Sequence, residues 1–143
     1  MVTKAITAAA IGINSCKIEV EVDTSQSLPN ISIVGSPDNS VNEARERVRS
    51  AIKNSGFSFP TGKVIVNLAP ADIRKEGTHF DLPIAIGILK EQGVNIPDDL
   101  TTAFLGELSL DGALRYVNGV LPLVSGLKEA GITTVFVPIE NAK

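Results

Sequence analysis

The sequence has few of the side chains that usually mark a metal, redox or base-stacking site. Its 143 residues include no Trp, one Tyr and five Phe, which argues against recognition of nucleic acid by stacking bases on aromatic rings. Cys16 is the only cysteine and His79 the only histidine. This pair can form neither an internal disulfide nor a Cys-rich zinc site. We therefore expect a protein of the reducing cytoplasm with no cofactor or metal in this chain.

Excess positive charge and long apolar runs are also lacking. The net charge of −3 and the pI near 5.1 argue against a free-standing nucleic-acid-binding protein. No apolar stretch approaches the about 20 residues that cross a bilayer, so no membrane association is expected. The run from Ala5 to Ile13 is interpreted as a strand instead of a targeting signal. With 43% apolar residues, residues 1–143 are predicted to form a single domain around one core.

Apolar periodicity gives the order of the elements. Ile18, Val20 and Val22 alternate with acidic residues, which predicts a strand with one buried face. Further strands are predicted at 31–34, 62–69, 103–110 and 133–137, and helices at 38–55, 82–92 and 119–130. The order β-β-β-α-β-α-β-α-β predicts an α+β (mixed α/β) domain with one mixed sheet and packed helices.

The first predicted helix is amphipathic. Asp38 or Ser40 can cap its start, and Gly56 stands where a left-handed cap would end it. Its polar face carries Glu43, Arg45, Glu46, Arg47, Arg49 and Lys53. We interpret this face as solvated ion pairs, with contact to a phosphate or a partner as the alternative.

The second predicted helix, 82–92, is apolar on nearly every side, which predicts that it is buried. Asp81 is placed to cap it, and Pro83 lies in its first turn. An aspartate that caps a helix is not free to orient a catalytic histidine, so His79 is interpreted as a loop histidine and not as part of a Ser-His-Asp triad.

Two other motifs do not support ligand chemistry. Residues 56–63 (GFSFPTGK) look like a phosphate-binding loop, but five residues separate the glycines, Val64 follows the lysine, and the segment runs from helix to strand. ATP binding by this chain is therefore not expected. Asp98 and Asp99 are interpreted as a solvated pair and not as a cation site.

Several longer motifs, in a fixed order, carry a resemblance. They are residues 34–38 (VGSPD), 46–57 (ERVRSAIKNSGF), 67–72 (NLAPAD), 75–77 (KEG), 80–85 (FDLPIA) and 106–112 (GELSLDG). Together they resemble the amino-terminal domain of Mg-chelatase-like AAA+ ATPases, the ComM/YifB group. The likeness covers the whole chain and implies the fold of the Lon proteolytic domain.

Lon peptidases use a Ser-Lys dyad, and the resemblance implies that this chain has lost it. When the Lon serine motif is laid over residues 75–78, the serine position falls on His79. When the following segment is laid from Gly112 to Ile132, the lysine position falls on Leu121. An imidazole and an aliphatic chain cannot perform the dyad's proton transfer, so no catalytic residue is expected.

The resemblance also implies a longer protein. An AAA+ module with ATP and Mg²⁺ is expected after residue 143, assembled as a hexamer that acts on DNA in branch migration, natural transformation or recombination. This chain would be the motor's non-catalytic module for ring assembly or DNA guidance, with Arg74 and Lys75 as exposed loop cations that contact DNA or a partner.

Three alternatives remain open. The first is a degenerate Lon-type peptidase that uses Thr78, or Ser125 with Lys128. The second is a small-molecule kinase of the GHMP type, although no glycine-rich phosphate loop enters a helix. The third is the carboxyl-terminal Lon-like domain of RadA-type recombination proteins, which an ATPase precedes.

Overall fold

The computed structural model describes residues 2–142, which form a six-stranded mixed sheet with helices on both faces. The strands of this sheet are β1 (Thr3–Ile11), β2 (Asn14–Ser25), β3 (Asn30–Val34), β4 (Lys63–Ala69), β5 (Thr102–Phe104) and β8 (Thr134–Phe136). Their spatial order is β3-β4-β2-β1-β5-β8. The hairpin strands β6 (Glu107–Leu108) and β7 (Leu114–Arg115) form a separate two-stranded sheet.

The β1–β2 hairpin occupies the middle of the sheet. Gly12, with a φ of 59°, forms its turn, and β2 pairs antiparallel with both β1 and β4. β1 is buried on both faces from Ala5 to Ala9, which explains why this strand reads as a continuous apolar run and not as an alternation. The prediction of a strand here is confirmed.

The first predicted helix is two helices. Asp38 caps α1 (Asn39–Asn42) by accepting a hydrogen bond from the Val41 amide at 3.0 Å, as predicted. The helix is interrupted at Glu43, and α2 (Ala44–Asn54) follows. Gly56 follows α2 with a φ of 86°, in agreement with the predicted left-handed end.

The buried second helix is confirmed as α3 (Asp81–Glu91), which has no exposed residue and packs against β1, β2 and α2. Its predicted cap is wrong. Phe80 is the residue before the first turn, and the Asp81 side chain points to other donors. Because Asp81 is fully buried, leaving its carboxylate without a cation would be more unfavourable than leaving the helix without a side-chain cap.

The predicted strand 103–110 is two strands. After β5, the Leu105 amide bonds to the Phe136 carbonyl and the Gly106 amide to the His79 carbonyl. The first bond continues the pairing of β5 with β8, and the second directs the chain to the start of α3 and away from the large sheet, before the β6–β7 hairpin. Gly112, with a φ of 96°, lies in the turn between β6 and β7, and β7 was not predicted.

Two hydrophobic clusters lie on opposite faces of the sheet. The larger one joins the sheet to α2 and α3, and the smaller one joins Ile6, Ala8 and Ala103 to α4 (Val120–Glu129). The predicted class, a mixed α/β fold with one main mixed sheet, is confirmed. None of the helices within residues 2–142 combines the length and apolarity that a bilayer crossing requires.

Candidate functional site

The loops that follow β3 and β4 meet around a buried lysine. Lys75 is 0% exposed, and its Nζ donates to the carbonyl oxygens of Gly35, at 2.6 Å, and Pro70. Its backbone bonds to the loop after β3, with the Lys75 amide 2.9 Å from the Ser36 carbonyl oxygen and the Asp38 amide 2.9 Å from the Lys75 carbonyl oxygen. Burial lowers the pKa of the Lys75 ammonium. One side chain therefore fastens both loops together.

The prediction that Lys75 is an exposed loop cation is wrong. A loop lysine with charged neighbours on both sides is expected to be solvated, but this one donates to the carbonyl oxygens of two residues that lie just beyond the ends of β3 and β4. Arg74, by contrast, is exposed, and its Nε lies 2.9 Å from the Glu76 carboxylate. Contact between Arg74 and DNA stays a prediction, on a side chain whose charge is partly neutralised by Glu76.

His79 lies in a single turn of 3-10 helix, Thr78–Phe80, that leads into α3. The ring is 5% exposed, and Nε2 lies 2.7 Å from the Ala8 carbonyl oxygen. Because a carbonyl oxygen only accepts, Nε2 carries the proton. Burial lowers the pKa of the imidazole, which favours the neutral ring. His79 is therefore a core residue that ties the start of α3 to β1.

Asp81 does not pair with His79. Its carboxylate accepts from Arg47 Nε at 2.7 Å, from Arg47 Nη2 at 3.1 Å and from the Leu108 amide at 3.0 Å. Burial raises the pKa of this carboxyl, and the hydrogen bonds from Arg47 act in the opposite direction. Sequence reasoning missed this ion pair, since the two residues lie 34 positions apart.

Leu121, at the other predicted dyad position, lies in the first turn of α4 and is 79% exposed. It borders a surface cavity of about 560 Å³ beside Tyr116 and Val135. His79 is thus buried against β1 while Leu121 faces solvent. Neither supplies the hydroxyl or the amine that a Ser-Lys dyad needs.

The other residues considered for hydrolysis do not form a dyad either. Thr78 is half-buried at the start of the 3-10 turn, and Ser125 and Lys128 are exposed on α4. Within residues 2–142, neither hydroxyl is hydrogen-bonded to an amine, and the Nζ of the buried Lys75 donates only to carbonyl oxygens.

The carboxylates considered for cation binding already have protein partners. Asp98 lies 3.5 Å from Lys90 Nζ. Asp99 accepts from the hydroxyl of Thr101 and from that of Thr102, and the Thr101 hydrogen bond lowers the pKa of Asp99 most. Across the described part of the chain there is no group of three or more His, Cys, Asp or Glu side chains that could hold a metal ion.

The polar face of α2 differs from the expected set of ion pairs. Arg47 pairs with Glu43 at 3.3 Å, one turn away. Arg45, Arg49 and Lys53 have no carboxylate oxygen within 4.0 Å in the part of the chain that the structure describes. Their spacing of four residues was visible in the sequence, but the interspersed acids concealed it.

Comparisons with known proteins point to one group. A family model described as subunit ChlI of Mg-chelatase matches residues 20–141. The uncharacterized protein YifB of Salmonella typhimurium is 45% identical over 137 residues, which cover 95% of this chain and 27% of that protein. The competence protein ComM of Haemophilus influenzae is 44% identical over 117 residues, or 81% of this chain and 23% of that protein.

A more distant relative supports the fold. Lon protease 2 of Bacillus subtilis is 29% identical over 139 residues, which cover 87% of this chain and 25% of that protein. The chain thus spans about a quarter of the length of the relatives it matches.

Proposed function

Because the chain belongs to the family of subunit ChlI of Mg-chelatase, we propose that it is the non-catalytic, Lon-like amino-terminal module of a longer AAA+ ATPase that acts on DNA. In this proposal ATP and Mg²⁺ bind the ATPase module, which this chain does not contain. The present module contributes to assembly of a cytoplasmic hexameric ring or guides DNA towards it. The name of the competence protein ComM supports a role in DNA uptake or recombination.

The non-catalytic part of the proposal is carried by the environment of His79. A dyad serine would have to present its hydroxyl to an amine and to substrate. The side chain at this position is instead turned into the core, where Nε2 donates to the Ala8 carbonyl oxygen. The position of the dyad lysine is occupied by Leu121, an exposed aliphatic residue.

Labelling with a fluorophosphonate probe tests whether the chain has a reactive serine or threonine nucleophile. We expect no labelling of the 143-residue chain and no hydrolysis of an unfolded protein substrate, with an active Lon protease as the positive control. Labelling that disappears in Thr78→Ala or in Ser125→Ala would identify a working nucleophile and refute the proposal in favour of a degenerate peptidase.

The gene itself tests whether the module belongs to a motor. Reading it beyond the codon for Lys143 should reveal a Walker motif, a Gly-x-x-x-x-Gly-Lys-Ser/Thr sequence that follows a strand and opens a helix. A stop codon directly after residue 143 would refute the proposal of an accessory module.

A further inference from the structure

Three cations form a line along α2. Arg45, Arg49 and Lys53 are spaced four residues apart, so they lie on neighbouring turns of one helix face, about 6 Å apart along its axis. Arg45 and Lys53 are exposed, and Arg49 is half-buried. We call these three residues the α2 cation line.

The α2 cation line is not neutralised from within the protein. The Arg45 Nε donates to the Asn42 carbonyl oxygen at 3.1 Å, and no carboxylate of residues 2–142 lies within 4.0 Å of any of the three charged groups. Glu46, an acid in the same helix, is exposed and forms no ion pair with them within residues 2–142. Like charges four residues apart destabilise a helix, so an anionic partner would relieve an existing repulsion.

A groove of about 390 Å³ opens beside the carboxyl end of the α2 cation line. Arg49 and Lys53 line it, together with Asn30, Phe59 and Thr61. Among residues 2–142, no carboxylate lines the groove. Its polar groups are therefore two cations, an amide, a hydroxyl and the backbone, which is a lining suited to an anion.

Arg49 is held in a position ready for a ligand. Its Cζ lies 5.6 Å from the centre of the Phe59 ring, within the range of a cation–π contact. The Nε is buried and has no hydrogen-bond partner within residues 2–142. Because the Nε is closed off from solvent, a ligand in the groove would contact the Nη groups of Arg49, and a planar guanidinium presents a fork that matches the oxygens of a phosphate.

We propose that the α2 cation line and its groove bind the phosphodiester backbone of DNA, with Arg49 and Lys53 holding one phosphate in the groove. A line of cations suits this ligand, because one strand of a duplex presents a phosphate about every 3.4 Å along the axis, so Arg45 can contact a phosphate near the one that Arg49 and Lys53 hold. The contacts are to the backbone and carry no base specificity. The proposal rests on the proposed function in so far as that function brings the domain to DNA.

The test measures binding of fluorescein-labelled duplex and single-stranded DNA to the 143-residue chain between about 50 and 200 mM salt. We expect Arg45→Gln/Arg49→Gln/Lys53→Gln to weaken binding at least about tenfold and to reduce the slope of log K against log salt by about 2–3. The matched control, Lys17→Gln/Arg115→Gln/Lys128→Gln, removes three exposed cations elsewhere and should change binding by less than about twofold.

Further variants distinguish binding in the groove from a general effect of positive charge. Arg49→Lys keeps the charge and loses the fork, so its affinity should fall between that of the unaltered chain and that of Arg49→Gln. Circular dichroism and thermal unfolding of each variant confirm that it is folded before its binding is measured.

Three outcomes would overturn the inference: no saturable DNA binding at low salt, an equal loss in both triple variants, or full competition by inorganic phosphate at the concentration of DNA phosphate. The last outcome would leave a site for a free anion. A Walker motif beyond residue 143, together with any of these outcomes, would preserve the proposed function and remove only this surface from it.

Discussion

Replacing Arg47 by methionine should destabilise the protein strongly, because it leaves a carboxylate in the core without its cation. The Asp81 side chain is fully buried and would keep only the Leu108 amide at 3.0 Å. Removing one member of a buried ion pair costs about 3–5 kcal/mol. With an unfolding entropy of about 2.1 cal/mol/K per residue over 143 residues, this corresponds to a fall in Tm of about 10–17 °C.

The cost should depend on pH. Burial raises the pKa of the Asp81 carboxyl, and the hydrogen bonds from Arg47 hold it lower than burial alone would, so Arg47→Met raises that pKa further. A carboxyl whose pKa is raised by folding contributes its full stability below the unfolded pKa and loses it as the pH rises through the folded pKa. The difference between the unaltered chain and the variant should therefore be largest near pH 7 and shrink towards about pH 4.

Urea unfolding followed by circular dichroism measures this difference. Arg45→Met is the control, since Arg45 is exposed on the same helix, and it should change the free energy of unfolding by no more than about 0.5 kcal/mol. The double variant Arg47→Met/Asp81→Leu should recover most of the loss, because no buried charge remains. A cost below about 1 kcal/mol for Arg47→Met, or a double variant no more stable than the single one, would refute this reasoning.

Three further predictions concern backbone strain at Gly35 and the titration of Lys75 and Cys16. Gly35→Ala should lower the free energy of unfolding by more than about 2 kcal/mol, because φ is 102° and a Cβ would lie 2.2 Å from the Leu68 carbonyl oxygen. The control Gly56→Ala, with open space around its Cβ, should lower it by about 1 kcal/mol. Thermal unfolding measures both. Since burial lowers the pKa of Lys75, the unaltered chain should gain stability relative to Lys75→Met as the pH rises towards about 10.4; a constant difference in urea unfolding between neutral and alkaline pH contradicts this. Burial raises the pKa of the Cys16 thiol, so an aromatic disulfide reagent should react with it more slowly in the folded chain than in urea, and equal rates would show that the thiol is not protected.

The sequence predicted the elements whose cause is local. The alternation of Ile18, Val20 and Val22 predicted β2, and the apolar residues on all sides of 82–92 predicted the buried helix α3. Both predictions succeeded because the periodicity of apolar residues can be seen within a short stretch of sequence. The similarity to the ComM/YifB group is confirmed by the matches over most of the chain, and the Lon-like fold agrees with the distant match to Lon protease 2.

The wrong predictions concern residues whose structure depends on contacts with residues far away in the sequence. The rule that an aspartate before a helix caps it failed for Asp81, because its cation comes from α2. A loop position suggested that Lys75 was solvated, whereas the carbonyl oxygen that holds it belongs to Gly35, 40 residues away. The strand at 103–110 was divided by a bond to the His79 carbonyl. At the candidate site, therefore, residue types could be predicted but exposure could not.

The position of β1 affects how the domain can be divided. The family match starts at residue 20, inside β2, so a shorter protein cut at that point would lack all of β1. Because β1 is the strand between β2 and β5, such a cut removes the centre of the sheet and not an edge. β5 and β8 would lose their link to the other strands, and α4 would lose the Ile6 and Ala8 side chains from its cluster. Any shortened version should start no later than Thr3.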